Sequence, residues 1–201
     1  MKIKDFPNLK VYYSTVKDSP QEDPINFKKF LNLVGTSFEN TVKAKIEHKD
    51  KVLLVDFNDR GKTIPGDALI TQGKNVYLAI LTADCLPISI YDPKTSVISL
   101  VHLSNKNKED VLVKTIETMK KEFKTDTKNL IIEIGPSICS NHYQANLWDE
   151  AEKNLMELGV NKENINNEKI CTFESSDFFS HRKAMTENGK DPRFATVFGK
   201  I

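Results

Sequence analysis

A chain of 201 residues with 39% hydrophobic and 28% charged positions supports one sizeable core and is too short for two, so we expect a single domain over residues 1–201. The 29 basic residues nearly balance 28 acidic ones and form no basic face lined with aromatics, which argues against nucleic acid and anionic membranes as partners. The apolar runs are far shorter than the roughly 20 residues of a membrane span. Because the first twenty residues also lack the pattern of a secretory signal, we expect a cytoplasmic protein.

The secondary structure follows from the spacing of apolar residues. Segments rich in valine and isoleucine predict strands at 10–14, 42–48, 52–56, 68–70, 76–81, 87–91, 97–102, 130–134 and 194–198. Apolar positions repeating every three or four residues predict helices at 25–33, 109–123 and 146–158. The Lys- and Asn-rich stretches 105–110 and 161–169 are expected to be solvated connections. The order of elements predicts a mixed α/β fold with a sheet-dominated core.

The segment 81–87, Leu-Thr-Ala-Asp-Cys-Leu-Pro, is the first candidate site. A strand stops there at a small turn and presents a carboxylate and a thiol, and α/β proteins place their sites at such strand ends. Taken alone, Cys85 is more often a small buried apolar residue than a ligand or nucleophile. Asp84 suits three roles: orienting a metal-bound histidine, moving a proton, or forming the turn through backbone hydrogen bonds.

Two histidines at predicted strand ends give Cys85 a chemical context. His48 ends the strand 42–48 and His102 ends the strand 97–102. A thiolate with two imidazoles is a common Zn²⁺ ligand set that leaves a fourth position for water or substrate. The separations, 37 residues from His48 to Cys85 and 17 from Cys85 to His102, match no short zinc-finger pattern. The same residues without metal would make a cysteine nucleophile with a histidine base, so both interpretations stay open.

The remaining candidates are two arginines and two further cysteines. Arg182 and Arg193 stand out in a lysine-rich chain, and their guanidinium forks suit phosphate or carboxylate, although surface salt bridges explain them equally well. Cys139 lies three residues before His142, a spacing that fits either a reactive or metal-binding pair or an ordinary loop. Cys171 stands at a predicted strand end. Because three cysteines are an odd number in a chain of this size, we expect reduced thiols.

Several of these segments, taken in order, resemble the laccase-domain family. That family is named for multicopper polyphenol oxidoreductases and is also described as acting on purine nucleosides. The matching pieces are Gly-Asp-Ala-Leu-Ile-Thr at 66–71, Thr-Ala-Asp-Cys-Leu-Pro at 82–87, Gly-Pro-Ser-Ile at 135–138 followed by Tyr143, and Cys-Thr at 171–172 leading to Phe-Phe-Ser at 178–180. The resemblance runs from about residue 48 to the C-terminus.

The resemblance implies an architecture, a metal site and a substrate class. The implied fold consists of layered mixed sheets flanked by helices, the laccase-domain fold of the cysteine hydrolase type. The implied metal ligands are His48, Cys85 and His102, with zinc as the metal and copper as the alternative. The implied substrates are a purine nucleoside and phosphate, in phosphorolysis of adenosine, inosine or methylthioadenosine, or adenosine in deamination. We expect catalysis to involve Cys85, His102 and Asp84, phosphate to be bound by Lys106, Arg182 and Arg193, and the chain to be a monomer or weak homo-oligomer.

The chain also departs from the family pattern around the site. The family's Gly-Trp-Arg-Gly after the second histidine is replaced by 103–107, Leu-Ser-Asn-Lys-Asn, in which Lys106 keeps the arginine's charge without its bidentate grip. Asn141 and His142 replace paired cysteines, and Gln144 replaces a glutamate. A short, divergent member is therefore predicted, either an enzyme or a metal-binding scaffold that has lost turnover. A true multicopper oxidase is unsupported, because four histidines are too few for its copper centres.

Overall fold

The computed structural model describes residues 1–6, 9–187 and 189–199, which form twelve strands and four α-helices. The strands are β1 (Lys2–Phe6), β2 (Leu9–Tyr13), β3 (Thr41–Lys45), β4 (Val52–Leu54), β5 (Thr63–Pro65), β6 (Ala68–Thr71), β7 (Tyr77–Thr82), β8 (Leu86–Asp92), β9 (Val97–Leu103), β10 (Ile131–Ile134), β11 (Ile165–Asn167) and β12 (Phe194–Gly199). The helices are α1 (Pro24–Leu33), α2 (Val111–Phe123), α3 (Leu147–Glu157) and α4 (His181–Thr186).

The strands form two six-stranded mixed sheets. The first sheet has the order β1-β2-β12-β7-β3-β5, in which β3 runs parallel to both β7 and β5 and the other pairs are antiparallel. The second has the order β11-β10-β8-β9-β6-β4, with parallel pairs only at its two edges. In both sheets, therefore, some neighbouring strands are antiparallel and others are parallel, and the parallel pairs require crossover connections.

The two sheets and the helices pack as four layers. Side chains alternate across β7: Leu78 and Ile80 face the core between the sheets, whereas Tyr77 and Ala79 pack against α1. On the outer face of the second sheet, α2 and α3 bury their apolar stripes against β6, β8, β9 and β10. The predicted architecture of layered mixed sheets flanked by helices is confirmed.

The secondary-structure predictions hold for every element with a strong apolar pattern. Each of the nine predicted strands overlaps an observed strand, and all three predicted helices are present. The strands β1, β5 and β11 were not predicted, and all three are edge strands. An edge strand pairs on one side only and is partly exposed, so its sequence carries a weak alternation. The prediction that 161–169 is only a connection is wrong, because β11 lies within it.

The cysteine prediction needs a correction. Cys139 and Cys171 are joined in a disulfide with their Cα atoms 5.2 Å apart, a usual separation for such a bond. The expectation of reduced thiols is therefore wrong for these two residues, and Cys85 is the free cysteine. The residue count could not reveal the pairing, because it depends on two loops that are 32 residues apart in sequence.

Within the described residues, none of the helices combines the length and apolar character needed to cross a membrane.

Candidate active site

Three side chains with metal-binding atoms meet at one end of the second sheet. Cys85 lies in the bend between β7 and β8, and His102 lies near the end of β9, opposite Pro87 in the antiparallel β8–β9 register. His48 approaches from the loop after β3. Their ligand atoms all lie within 4.8 Å of one another. We refer to His48, Cys85 and His102 as the cavity triad.

His48 takes its place through a turn rather than through a strand. The strand predicted over 42–48 ends at Lys45, and His48 adopts a left-handed backbone conformation with φ of 57°. Its imidazole ring meets that of His102 edge to face, with the ring centroids 5.0 Å apart. The side chain of His48 is exposed whereas that of His102 is 2% exposed, so the triad runs from the protein surface into the interior.

Asp67 positions both histidines and was not identified from the sequence. Its carboxylate is fully buried just before β6, and Oδ1 accepts hydrogen bonds from His48 N and from His102 Nδ1, each at 2.9 Å. The other oxygen, Oδ2, accepts from Lys49 N at 3.0 Å. Because Nδ1 is bound to Asp67, Nε2 is the ring nitrogen of His102 that can bind a metal or Cys85. The only available signal was an aspartate immediately before an apolar strand, within the family-like segment 66–71.

Hydrogen bonds and charges within the cavity triad and Asp67 shift the pKa values of Cys85 and His102. Burial by itself would raise the pKa of the Cys85 thiol, but hydrogen bonds to His102 and His48 and the charges of both rings lower it to about 6. Burial would also lower the pKa of His102, but its hydrogen bonds to Asp67 and Cys85 raise it to about 9. A thiolate is therefore favoured at neutral pH. Thiolate is the form of cysteine that ligates metals and attacks electrophiles.

The loop after β9, residues 104–110, is held together by Asn107. This side chain is 2% exposed, and its Oδ1 accepts from the backbone N–H and the hydroxyl of Ser104 at 2.7 and 3.0 Å. Its amide nitrogen donates to Lys49 O at 2.6 Å and to His102 O at 3.1 Å. Asn107 therefore ties the loop after β9 to the loop that carries His48. The sequence analysis treated 105–110 as a solvated connection, and that prediction is wrong at Asn107.

Asp84 is a wall residue whose carboxylate is already engaged. It has a left-handed φ of 77°, and its backbone oxygen accepts from Ser137 Oγ at 2.6 Å and Ile138 N at 3.0 Å. Its two carboxylate oxygens accept from Thr172 Oγ1 at 2.7 Å and from Arg182 N at 2.6 Å. The histidine-orienting role considered for Asp84 belongs to Asp67. Asp84 instead connects the Cys85 bend to two other loops, in keeping with the turn-forming alternative.

A cavity of about 420 Å³ opens in front of the triad. This volume is within the range of small-molecule sites. Its lining combines basic, polar and apolar side chains: His48, Ala83, Asp84, Cys85, Ser104, Asn105, Lys106, Ile138, Tyr143, Gln144, Leu147, His181 and Arg182. The guanidinium of Arg182 lies 5.6 Å from the centre of the Tyr143 ring, in cation–π range. The sequence analysis did not assign site roles to His181 and Leu147.

The predicted phosphate-binding residues are divided by the structure. Lys106 and Arg182 line the cavity together with His48 and Cys85. Arg193 is absent from that lining, and its guanidinium is paired with the carboxylate of Asp191, with one nitrogen–oxygen distance of 2.8 Å. The salt-bridge alternative therefore accounts for Arg193, and we leave this residue out of the site.

The cavity triad fits a zinc ion by its chemistry. Two imidazole nitrogens and one thiolate are ligands that zinc prefers, and the cavity beside them leaves room for a fourth ligand. Hard ions such as Mg²⁺ and Ca²⁺ prefer oxygen ligands and fit this set poorly. The buried Asp67 behind His102 supplies the outer partner that metal-binding histidines usually have.

The family model described as multi-copper polyphenol oxidoreductase laccase matches residues 7–146 and 140–198. The chain belongs to this family. The match begins at residue 7, so the laccase-family resemblance extends further toward the N-terminus than the residue 48 expected from the motifs alone. The family match therefore includes β2, α1 and β3.

Curated relatives of this laccase-family chain are named purine nucleoside phosphorylases. One from Clostridium acetobutylicum is 31% identical over 134 residues, which are 66% of this chain and 52% of the relative. One from Campylobacter jejuni is 29% identical over 191 residues, covering 84% and 80%. YlmD of Bacillus subtilis is 25% identical over 223 residues, covering 92% and 79%. The match to the Clostridium protein thus spans about half of that relative's length.

Solved structures share the fold at low sequence identity. The Bacillus licheniformis hypothetical protein YfiH superimposes with a TM-score of 0.88 at 21% identity, covering 96% of this chain and 93% of that one. YlmD of Geobacillus stearothermophilus gives 0.87 at 18% identity, covering 97% and 93%. These similarities establish the laccase-domain fold for the chain.

Proposed function

We propose that this protein is a zinc-dependent purine nucleoside phosphorylase that accepts adenosine, inosine or methylthioadenosine. The observation that carries the proposal is that His48 and Cys85, with the ligand atom of His102 within 4.8 Å of theirs, lie in the wall of the cavity that also contains Lys106 and Arg182. A metal-binding group and two cations then face one space large enough for a small molecule. The names of the curated relatives support the same reaction class.

Zinc is the metal we assign to His48, Cys85 and His102, ahead of copper. When bound, zinc supplies a positive charge that attracts a phosphate oxygen and lowers the pKa of water toward neutrality. The protein contributes the orientation of its ligands, because Asp67 holds the His102 ring through Nδ1 and the His48 backbone through its N–H. The multicopper chemistry in the family's name does not suit a chain with four histidines.

In phosphorolysis, phosphate and nucleoside become free base and the 1-phosphate of the sugar, which is ribose for adenosine and inosine and methylthioribose for methylthioadenosine. A phosphate oxygen forms a bond to the ribose C1′ carbon while the bond from that carbon to the base nitrogen breaks, and the electron pair leaves with the base. Lys106 and Arg182 stabilise the phosphate charge on the cavity side of the triad. Asp84 acts as a positioning residue, because its Oδ2 fixes the backbone of Arg182 at the start of α4.

The apolar part of the cavity suits the nucleoside. Ile138 and Leu147 offer aliphatic surface, and the Tyr143 ring offers an aromatic face for a purine. Gln144 and Asn105 supply amide groups that hydrogen-bond to base edges or ribose hydroxyls. We include adenosine deamination as a second reaction of this cavity, in which water replaces the amino group and ammonia leaves.

A metal-free cysteine hydrolase is the second candidate, and one observation favours it. Cys85, His102 and Asp67 form a nucleophile, base and orienting carboxylate in series, with the thiol pKa lowered to about 6. This is the arrangement of residue types in cysteine hydrolases. Tight stoichiometric zinc would exclude it, whereas rapid alkylation of Cys85 by iodoacetamide in the protein as purified would favour it.

The decisive experiment is chromatographic analysis of adenosine, inosine and methylthioadenosine after incubation with the purified protein, with and without phosphate. We expect free base only when phosphate is present, with inosine formed from adenosine independently of phosphate. Cys85→Ala should abolish both products, and Arg60→Ala, which changes an arginine outside the cavity lining, should leave them unchanged. Zinc content is measured on the same samples.

Two other results separate the remaining candidates. No product from any substrate, with one zinc still bound by the cavity triad, would reject the enzyme and leave a metal-stabilised scaffold. Product that persists after zinc is removed but disappears on alkylation of Cys85 would instead establish the hydrolase alternative.

A further inference from the structure

A second cluster of metal-binding side chains lies outside the cavity triad. Cys139, Cys171 and Glu174 bring two sulfur atoms and a carboxylate oxygen within 4.8 Å of one another. His142 Nε2 lies 3.0 Å from the same Glu174 oxygen. We refer to Cys139, His142, Cys171 and Glu174 as the four-donor cluster. The proposed phosphorolysis does not use these four residues.

The backbone brings the four donors together as two short turns. Each turn offers a cysteine and, three residues later, a second donor: Cys139 with His142, and Cys171 with Glu174. This is the close spacing at which structural zinc sites take ligands in pairs. The turns are tightened by hydrogen bonds from His142 N to Cys139 O at 3.0 Å and from Ser175 N to Cys171 O at 2.9 Å.

A backbone bridge holds the two turns side by side. Ser137 N donates to Ile170 O at 3.1 Å, and Thr172 N donates to Ser137 O at 2.9 Å. These bonds immediately precede Cys139 and flank Cys171, so the two sulfur atoms face each other without any contribution from a long flexible loop. The pairing of the turns is therefore built into the fold and does not depend on the bond between the sulfurs.

The environment of the sulfurs suits thiolate ligands. Both cysteines are 8% exposed, and Cys139 N lies 3.2 Å from Cys171 Sγ, where its N–H donates to the sulfur. Such a donor stabilises negative charge on a thiolate. Glu174 Oε1 lies 3.5 Å from Cys139 Sγ, so the carboxylate already faces the sulfur pair from the solvent side. The His142 ring is stacked on Phe173 at a centroid separation of 4.0 Å, which fixes its orientation.

We propose that the reduced four-donor cluster binds one zinc ion, as a second metal site with two thiolate, one imidazole and one carboxylate ligand. The disulfide present in the structure is the oxidised, metal-free form of the same site. A dithiol reductant converts one form to the other: it transfers two electrons and two protons to the Cys139–Cys171 bond and leaves as a cyclic disulfide. Zinc then displaces the two thiol protons.

The site has a consequence for the cavity wall. Tyr143 follows His142 directly and lines the cavity, as does Ile138 immediately before Cys139. Metal binding or disulfide formation at the four-donor cluster therefore secures the segment that carries both wall residues. Loss of both forms removes the link between the sulfurs, and the backbone bridge of Ser137 with residues 170–172 remains.

The test uses Co²⁺ as a spectroscopic substitute for zinc in the full-length Cys85→Ala variant, in which the cavity triad has no thiolate. After reduction with a phosphine, confirmed by titration of two free thiols, we expect one Co²⁺ per chain with thiolate-to-metal charge-transfer absorption. The band should be absent before reduction. Zinc added in equimolar amount should displace Co²⁺ and abolish the band.

Matched variants assign the ligands. In the Cys85→Ala background, Cys171→Ser should abolish the band, and His142→Ala or Glu174→Gln, which keep both thiols, should weaken binding at least about tenfold. Circular dichroism checks that each variant is folded. The proposal is wrong if two free thiols are titrated but no charge-transfer band develops, or if His142→Ala and Glu174→Gln both bind Co²⁺ as tightly as their parent. Because the cavity thiolate is absent throughout, these outcomes do not depend on the proposed phosphorylase activity.

Discussion

Asp67 Oδ1 accepts a hydrogen bond from His102 Nδ1 at 2.9 Å, and both side chains are buried between β6 and β9. The same oxygen accepts from the backbone of His48. One carboxylate therefore sets the positions of two of the three residues in the cavity triad. Its own pKa is lowered, because these hydrogen bonds and the charge of His102 outweigh the effect of its burial. Asp67 is the positioning residue on which the proposed zinc site depends.

Replacing this carboxylate tests the dependence. Asp67→Asn keeps the size of the side chain but leaves one acceptor oxygen, whereas the two oxygens of the aspartate together accept three hydrogen bonds. We expect zinc affinity to fall by about 10- to 100-fold, as for other outer partners of metal-binding histidines. The measurement is competition with a chromophoric chelator at fixed pH. Asp92→Asn, a buried aspartate at the far end of β8, is the matched control and should leave zinc affinity unchanged.

The cations of the cavity give a kinetic prediction. Removing Lys106 or Arg182 takes one positive charge from the space proposed for phosphate, so Lys106→Ala and Arg182→Ala should each raise the KM for phosphate by about tenfold. The KM for nucleoside should change less. Initial rates at varied phosphate concentration measure both constants. Equal increases in both KM values would contradict the assignment and indicate a general disturbance of the cavity.

Arg60→Ala serves as the arginine control for that series. The Arg60 guanidinium stacks 3.5 Å from the centre of the Phe57 ring, and the residue is not part of the cavity lining. Its removal is expected to leave both KM values within about twofold of the parent, because the long-range effect of a half-buried charge outside the cavity lining is small and is screened by salt.

Asn107 allows a prediction about the stability of the loop after β9. Asn107→Ala leaves the N–H of Ser104 and the carbonyl of Lys49 without their side-chain partner. We expect the free energy of unfolding to fall by about 2–3 kcal/mol, since unsatisfied buried groups cost about 1–3 kcal/mol each and the loop relaxes in part. Urea denaturation followed by circular dichroism measures the change. Asn105→Ala, a half-buried neighbour in the same loop, should cost less than about 1 kcal/mol.

The raised pKa of Glu133 allows a prediction of how the free energy of unfolding depends on pH. Burial raises the pKa of its carboxyl to about 7, and the hydrogen bond from Asn166 and the charge of Lys4 offset only part of that effect. Because the folded pKa exceeds the ordinary value of 4.5, the folded protein holds this proton more tightly than the unfolded chain. Its contribution to stability is complete below pH 4.5 and is lost as the pH rises to about 7.

Glu133→Gln removes this ionisation. In the parent, we expect the free energy of unfolding to fall by at most about 3 kcal/mol across this pH range because Glu133 ionises. The variant should not show this fall and should be the more stable protein at pH 8. Urea titrations at several pH values provide the comparison. Glu163→Gln, at an exposed position, is the control. Parallel pH profiles for the parent and Glu133→Gln would refute the assignment.

Much of the fold was predictable because it is recorded locally in the sequence. Strands such as β8 and β9 consist of consecutive apolar residues, and α2 has its apolar residues three and four apart, so each segment indicates its own structure. The proximity of Cys85 and His102 also follows simply, since Cys85 directly precedes β8, His102 lies near the end of β9, and the two strands are an antiparallel pair. The family motifs then associated His48 with these two residues.

The sequence by itself determined the mixed α/β class and the main strands and helices, and the resemblance of its motifs to the family predicted that His48, Cys85 and His102 lie together. Only the tertiary structure decided that Asp67 orients the histidines, that Asp84 and Arg193 are already engaged by other groups, and that Cys139 faces Cys171. Apolar periodicity reports on neighbours within a few residues, whereas the contacts of Asp67 with His102, of Asp84 with Arg182 and of Cys139 with Cys171 join residues 32 to 98 apart. Arg193 pairs with Asp191 only two residues away, but that is an ion pair, on which apolar periodicity does not report. Where such loops meet is set by sheet packing and turn conformation, which no short stretch of the sequence encodes.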